Sequence, residues 1–252
     1  MTPDVVVDIG NTRMKWGRCA GGRVTEMVSL PLDEPETWNE QFAAWELPSP
    51  TNWAAASVNP AVSELFQAWV AATGSTVAFL RDFRDVPLSY AVDHPERVGI
   101  DRLVNAFAAH CFAHPHPAIV VSVGTAVTID LIDERGAFQG GVILPGPRLM
   151  AYSLHAHTAK LPLVDADTLP TVVAPGKNTT DAILAGIRAA IVGATILLVN
   201  HYTEDDATPW VFVTGGAAGD LEQFDFGARF KGTRALPSLT LEGVRIAAEA
   251  LP

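Results

Sequence analysis

Two carboxylates in this chain sit where a carboxylate is either costly to bury or well aimed. Asp8 ends the apolar run Val5-Val6-Val7 and is followed at once by Ile9-Gly10-Asn11-Thr12; Asp101 precedes Arg102 at the head of an apolar segment with helical spacing. A bare carboxylate inside a buried strand needs a cation or hydrogen-bond donors to meet it, and a hydrated Mg²⁺ travelling with ATP is the natural partner. Asp8 otherwise does no more than cap its own turn. The close-approach polar surface of Gly10, Asn11 and Thr12 favours the first role. Lys15, a few residues on, reaches a phosphate or stands exposed on a hairpin. Asp101 and Arg102 are adjacent, so on a helix they do not face one another. They suit two parts of one ligand: a carboxylate that accepts a proton from an alcohol, and a guanidinium that holds a carboxylate bidentately. The plainer alternative for Asp101 is an acidic first turn favoured by the helix dipole.

The first of these segments is echoed in the second half. Val120-Val121-Ser122-Val123-Gly124-Thr125-Ala126 repeats the pattern that starts at Val6, at an offset of 120 − 6 = 114. β-branched residues build a strand, glycine permits a turn that brings N–H groups near a ligand, and a small polar residue follows. The pairing predicts a duplicated half whose two turns grip one nucleotide from opposite sides of a cleft. Other segments are weaker signals. Asn178-Thr179-Thr180-Asp181 has the form of a helix start, suited to an anion or a ligand hydroxyl or to ordinary capping. Gly215-Gly216 after a strand would let an adenine lie against the backbone, or simply make a turn. Gly176-Lys177 resembles the end of a phosphate-binding loop, but Thr171 stands where its first glycine belongs, which excludes that motif. His155 and His157 have ligand-like spacing without a third partner nearby. No nucleophile elbow, Ser-His-Asp order or cysteine pair points to acyl transfer.

The elements that must position these residues follow from periodicity. Strands are expected through Asp8, over 13–18, 51–57 and 77–80, with a helix over 61–73 that places Leu65, Trp69 and Ala72 on one side, and a helix over 101–111 with Leu103, Val104, Phe107 and Ala108 inward. His114-Pro115-His116-Pro117 breaks that helix and sets the domain boundary, giving domains 1–116 and 117–252, the last helix free to pack back on the first. The second half repeats the programme: strands to Thr125, over 127–133 and 140–144, a helix after Thr179, a strand over 210–213 and an amphipathic helix over 239–251 capped by Ser238. Strands alternating with helices, the early ones in hairpins, predict an α/β fold with mixed sheets.

Composition narrows the partners. The chain has 252 residues, 48% of them hydrophobic and 18% charged, which is the make-up of a compact protein with a real core. Seventeen basic against 28 acidic residues give a net charge of −11, which repels phosphodiester backbones and anionic lipid. Neither nucleic acid nor membrane is expected as a partner. The apolar stretch 182–199 is interrupted by Arg188 and two glycines, and is expected to be a buried helix. Cys19 and Cys111 are far apart, and no signal-peptide pattern precedes the first strand, so a cytoplasmic protein is expected.

On Asp8-Ile9-Gly10-Asn11-Thr12, Gly99-Ile100-Asp101-Arg102, Gly124-Thr125-Ala126, Gly140-Gly141-Val142-Ile143-Leu144-Pro145-Gly146 and Thr214-Gly215-Gly216, in that order, the chain resembles the type III pantothenate kinases, members of the acetate and sugar kinase, Hsp70 and actin superfamily. The resemblance implies two ribonuclease-H-like, actin-like ATPase domains with mixed sheets flanked by helices and a cleft between them. It also implies a homodimer that builds part of the substrate pocket, and transfer of the ATP γ-phosphate to the primary hydroxyl of pantothenate, the first step of coenzyme A synthesis. By the same resemblance Asp8, Ile9, Gly10, Asn11, Thr12, Arg13, Met14, Lys15 and Thr125 contact ATP, with Asp8 holding Mg²⁺ indirectly. Asp101 is the proton acceptor, and Gly99, Ile100, Asp101 and Arg102 with Tyr90 and Thr179 bind pantothenate. The family's monovalent cation, K⁺ or ammonium, is implied as well, but where many members carry an aspartate ligand for it this chain has Ser122. A hydroxyl holds a cation far more weakly than a carboxylate; the ion is then weakly held or held by other oxygens, and whether Ser122 abolishes cation activation is open at this point. Two other classes share the fold: a regulatory protein that lost the activity, of the kind labelled accessory factors for transcription, and an actin- or chaperone-like ATPase without a small acceptor.

Overall fold

The computed structural model describes residues 1–167, 169–170, 174–202, 208–218 and 230–251. The chain divides into two compact units, Met1–Phe112 with Ser238–Pro252, and Ala113–Pro237. The sequence boundary after residue 116 thus lies a few residues late. The last helix, which sequence placed in the second domain with the option of packing back, belongs to unit one.

Unit one is built on β1 (Val5–Ile9), β2 (Met14–Ala20), β3 (Arg23–Leu30), β4 (Asn52–Ser57) and β5 (Thr76–Leu80), in the spatial order β3-β2-β1-β4-β5. The first three strands are antiparallel, and β4 and β5 run parallel to β1. Helices α1 (Pro35–Ala44) and α2 (Pro60–Ala72) belong to this unit, as do the two-residue strand β6 (Ser89–Tyr90), α3 (Ile100–Ala113) and the last helix, α6 (Leu239–Ala250). Val5, Val7 and Ile9 point into an aromatic core with Trp16, Trp53, Phe66 and Trp69; the Trp16 ring lies 4.9 Å from Trp53 and 5.4 Å from Trp69. That cluster turns α2 so that Phe66, Trp69 and Val70 are buried, whereas Leu65, expected inward, is 40% exposed.

Helix α6 closes the opposite sheet face. A Cβ at Gly17 would sit 3.1 Å from the Leu241 side chain, and one at Gly243 would sit 2.1 Å from the Val104 carbonyl, so β2 and α3 both approach this helix closely. Ser238 precedes α6 without a side-chain cap; its carbonyl accepts from the Glu242 N–H at 2.9 Å. Glu242, buried, accepts from the Val24 N–H at 2.7 Å and pairs with Arg245 at 2.8 Å, which also reaches Glu249.

Unit two repeats the plan. Strands β7 (Ala118–Val123), β8 (Ala126–Ile132), β9 (Ala137–Pro145), β10 (Trp210–Thr214) and β11 (Gly232–Ala235) are ordered β11-β10-β7-β8-β9. β7, β8 and β9 are antiparallel, and β10 and β11 run parallel to β7. Helices α4 (Pro147–Ala156) and α5 (Thr179–Tyr202) complete it. By length and composition α5 could cross a membrane, but Ile183, Ile187, Ile191, Val192, Thr195 and Val199 are buried, and its aliphatic residues pack with Ile119, Val121, Val123, Val127 and Ile129 of the sheet. Arg188 is buried in the same helix.

Candidate active site

The first hairpin fixes the place of Asp8. In register, Asp8 stands between Lys15 of β2 and Ala56 of β4. The turn closes with the Gly10 N–H donating to the Arg13 carbonyl at 3.1 Å, and Val58 past the end of β4 donates to the Ile9 carbonyl at 3.1 Å. Asn11, Thr12 and Arg13 are exposed, while Ile9 and Met14 are completely buried. Of the residues expected at ATP, Ile9 and Met14 therefore present backbone, and their side chains hold the turn to the core. Thr12 and Arg13 also line an open groove of about 510 Å³ with Pro31, Leu32, Asp33, Glu34 and Val62.

Burial pushes the Asp8 carboxyl up to about 6; Lys15 opposes the rise and the charge of Asp101 adds to it. Asp8 and Asp101 are therefore electrostatic neighbours within unit one. Asp101 occupies the first turn of α3, whose start is fixed by Arg102 and Leu103 N–H groups donating to the Gly99 carbonyl at 3.0 and 3.3 Å. A Cβ at Gly99 would lie 2.5 Å from the Asp101 Oδ1, so glycine is what lets this carboxylate fold back over the helix start. Burial lifts the Asp101 carboxyl above its ordinary value, against the lowering by the Arg102 N–H and guanidinium. Carboxyls that resist ionisation through burial are candidates for binding a cation or accepting a proton.

Tyr90, expected at the substrate, is anchored through its hydroxyl. Its hydroxyl donates to the Phe83 carbonyl at 2.6 Å, with the Val86 carbonyl at 3.1 Å, and its ring meets Phe83 edge-on at 5.4 Å. Burial, chiefly, raises this phenol to about 12. The hydroxyl braces the segment that leads into Gly99.

In unit two the second hairpin is packed by glycines. The Gly124 N–H donates to the Ala126 carbonyl at 2.9 Å, Ala217 donates to the Val123 carbonyl at 3.0 Å, and Gly146 to the Thr125 carbonyl at 3.0 Å. A Cβ at Gly146 would lie 2.1 Å from the Gly124 carbonyl oxygen, and one at Gly215, where φ is +100°, 2.2 Å from the Val123 carbonyl oxygen. The glycines at the ends of two motifs thus let neighbouring chain press on the turn that exposes Thr125. Ser122 pairs in register with Thr128 on one side and Thr214 on the other, a three-hydroxyl row. Sequence reading passed over Thr128 and Thr214 as partners of Ser122, and the 114-residue offset does not lead to them: it carries Lys15 and Ala56, the partners of Asp8, to Ile129 and Pro170.

Thr179 opens α5 and is exposed, but Asn178 does the capping: its Oδ1 accepts from the Asp181 N–H at 2.9 Å. Gly176 lies against the first turn of α5, where a Cβ would come 2.2 Å from the Ala182 nitrogen. Thr171 lies outside the described residues. His155 Nδ1 is 2.9 Å from the Leu161 carbonyl, and among the described residues no three His, Cys, Asp or Glu side chains group as a metal site.

A family model described as type III pantothenate kinase matches residues 5–201. A relative from Thermus thermophilus named "Type III pantothenate kinase" is 33% identical over 227 residues, covering 86% of this chain and 88% of its own length. Among solved structures, a conserved putative Baf family transcriptional activator from Campylobacter jejuni is similar with a TM-score of 0.59 at 20% identity, covering 97% of each chain. The activator of 2-hydroxyisocaproyl-CoA dehydratase from Clostridium difficile, with bound ADPNP, is similar with a TM-score of 0.53 at 11% identity, covering 99% of this chain and 97% of that one. At those identities the structural likenesses speak for the fold, that of the actin-like ATPases.

Proposed function

The chain belongs to the type III pantothenate kinase family, and from that premise we propose that it transfers the γ-phosphoryl group of ATP to the primary hydroxyl of pantothenate, yielding 4′-phosphopantothenate and ADP for coenzyme A synthesis. The observation that carries this reading is the Asp8 and Asp101 pair in unit one, each resisting ionisation through burial and close enough for one charge to act on the other.

In phosphoryl transfer the protein mainly aligns groups and offsets charge. The Gly10 turn, with Asn11, Thr12, Arg13 and Lys15, takes the phosphates, and Thr125 of the second turn is a further nucleotide contact. Asp8 suits a cation held through water, because a half-buried carboxylate with only one basic neighbour in register retains uncompensated charge. Mg²⁺ bound there with the nucleotide supplies charge neutralisation on the phosphates. Asp101 accepts the proton of the attacking hydroxyl as the new O–P bond forms and the bond from Pγ to the bridging oxygen of ADP breaks. Arg102 and Thr179 hold the acid's carboxylate and hydroxyls, and Gly99 and Ile100 present backbone. Tyr90 acts through its ring, its hydroxyl being committed to Phe83. The working unit is a cytoplasmic homodimer.

The test is coupled ADP release with and without pantothenate. Wild-type protein is expected to need pantothenate, and Asp101→Asn to lose roughly 10² to 10⁴ in turnover while still binding ATP. ADP release indifferent to pantothenate overturns the reading, and an Asp101→Asn protein with full turnover removes that residue from the role.

A further inference from the structure

Asp8 and Ser122 hold equivalent places in their own sheets, and each lies at the centre of a three-residue row. In unit one the row is Ala56–Asp8–Lys15, and in unit two the matching row is Thr214–Ser122–Thr128. Cross-strand partners share a sheet face, so the second row presents three hydroxyls on one face next to the Gly124 turn. Thr214 is only 2% exposed, and its Oγ1 has no hydrogen-bond partner among the described residues. Ser122 and Thr128 are half-buried.

The monovalent cation that the family resemblance implies would have its carboxylate ligand at position 122, and the donor set here does not fit it. The row supplies neutral oxygens only. The nearest carboxylate on that strand face is Asp130, two residues along β8 and so about 6–7 Å from the row. Asp130 is buried, and its Oδ1 lies 2.5 Å from where a Cβ on Gly141 would be, so the carboxylate leans against β9. Uncharged hydroxyls are poor competitors with water for a monovalent ion. They are good donors to an anionic oxygen, and among the described residues the Thr214 hydroxyl has no acceptor.

We propose that this chain works without a monovalent cation: its second turn meets the nucleotide through the hydroxyls of Ser122 and its neighbours, and Ser122 is the residue that removes the ion requirement. The inference rests on the kinase reading for its activity arm and is independent of it in its binding arm. Wild-type and Ser122→Asp proteins, freed of potassium and ammonium, are assayed for pantothenate-dependent ADP release in tetramethylammonium chloride and again after adding KCl or NH₄Cl. Both are also melted in the same salts with a non-hydrolysable ATP analogue.

The wild-type rate is expected to change by less than about twofold between salts and its Tm to stay put, while Ser122→Asp gains a response of about tenfold or more and a K⁺-dependent rise in Tm. A wild-type rate or Tm that rises several-fold or by several degrees with K⁺ overturns the proposal. So does a folded Ser122→Asp protein as indifferent as wild type, because position 122 would then not be the determinant. Should wild type release no pantothenate-dependent ADP in any salt, the kinase reading fails, and the melting arm still decides whether the ion binds.

Discussion

The two hairpins share one backbone plan and divide the work between them. In each, a strand end is flanked by an antiparallel return strand and a parallel neighbour, and an N–H beyond that neighbour donates to the strand's last carbonyl: Val58 to Ile9 in one, Ala217 to Val123 in the other. The first turn is one residue longer, since Ile9 pairs with Met14 whereas Val123 pairs with Val127. The first hairpin carries charge and leaves its turn open, with Asp8 facing Lys15 and polar exposed residues between them. The second is neutral and tightly backed, its carbonyls lying against Gly146 and Gly215. One backbone plan thus carries charge at its first occurrence and close glycine packing at its second.

The sharpest way to break this contrast is to add one methyl group to each turn's glycine contacts. Gly215→Ala would place Cβ 2.2 Å from a backbone oxygen at a φ of +100°, and neither fault is relieved without moving β7 or the turn. A loss of about 4 kcal/mol or more is expected, in the range where unfolding becomes visible at room temperature. Gly10→Ala would meet only the Arg13 carbonyl at 3.1 Å, a contact the open turn absorbs with a small shift. Chemical denaturation of the two variants checks the order; equal losses would mean that the second turn is no more rigidly backed than the first.

The next effect separates function from stability at Asp8. Its carboxyl titrates near 6 instead of 3.8, so its ionisation works against the fold: the native state binds the proton more tightly than the unfolded chain does. The stability due to that proton is fully present below about pH 4 and lost as pH rises through about 6. Asp8→Asn avoids ionisation altogether. It is expected to melt higher than wild type at pH 8 and at the same temperature near pH 4, while turnover falls by about 10² or more through loss of the carboxylate proposed to meet the cation. A variant that melts lower at pH 8 would show that the carboxylate is satisfied in the fold, and that burial is not what lifts it.

How far this contrast is visible in the sequence depends on the kind of force involved. The Val-rich strands, their glycines and the 114-residue repeat are local features, so both hairpins were legible within a residue or two. β3 was not, because five of its eight residues are exposed and it lacks a clean alternation. α1 was missed because it buries only Trp38. The face of α2 was misplaced since Phe66 is drawn in by Trp16 and Trp53, residues far away in the chain. At the site, the types of Asp8 and Asp101 were informative, but their resistance to ionisation comes from tertiary burial. The hydroxyl of Tyr90 is taken by Phe83, which no motif announces. The folding back of Asp101 over Gly99 is likewise a matter of backbone space, invisible in residue types.

A smaller effect follows for nucleotide binding. If the cation held with ATP needs ionised Asp8, binding of Mg²⁺–ATP should weaken as pH falls through about 6 and should release a proton there. ATP's terminal phosphate titrates in the same range, so the informative quantity is the difference between wild type and Asp8→Asn. Calorimetry in buffers of different ionisation enthalpy should find extra proton release in wild type alone. An identical pH dependence in both proteins would detach Asp8 from the cation and leave the first hairpin's charge without a role in binding.

The smallest effect probes the neutral side. Thr214 keeps a buried hydroxyl with no hydrogen-bond partner among the described residues, and replacing it by the similarly shaped Val removes that group without opening a cavity. Thr214→Val is therefore expected to gain about 1 kcal/mol of stability in the ligand-free protein. With a non-hydrolysable ATP analogue present, that gain should shrink or reverse if the hydroxyl finds its acceptor on the nucleotide. Two melting curves per protein suffice. A gain that is the same with and without the analogue would assign the hydroxyl to the fold alone, and the cradle at the second turn would then rest on Ser122, Thr125 and backbone N–H groups.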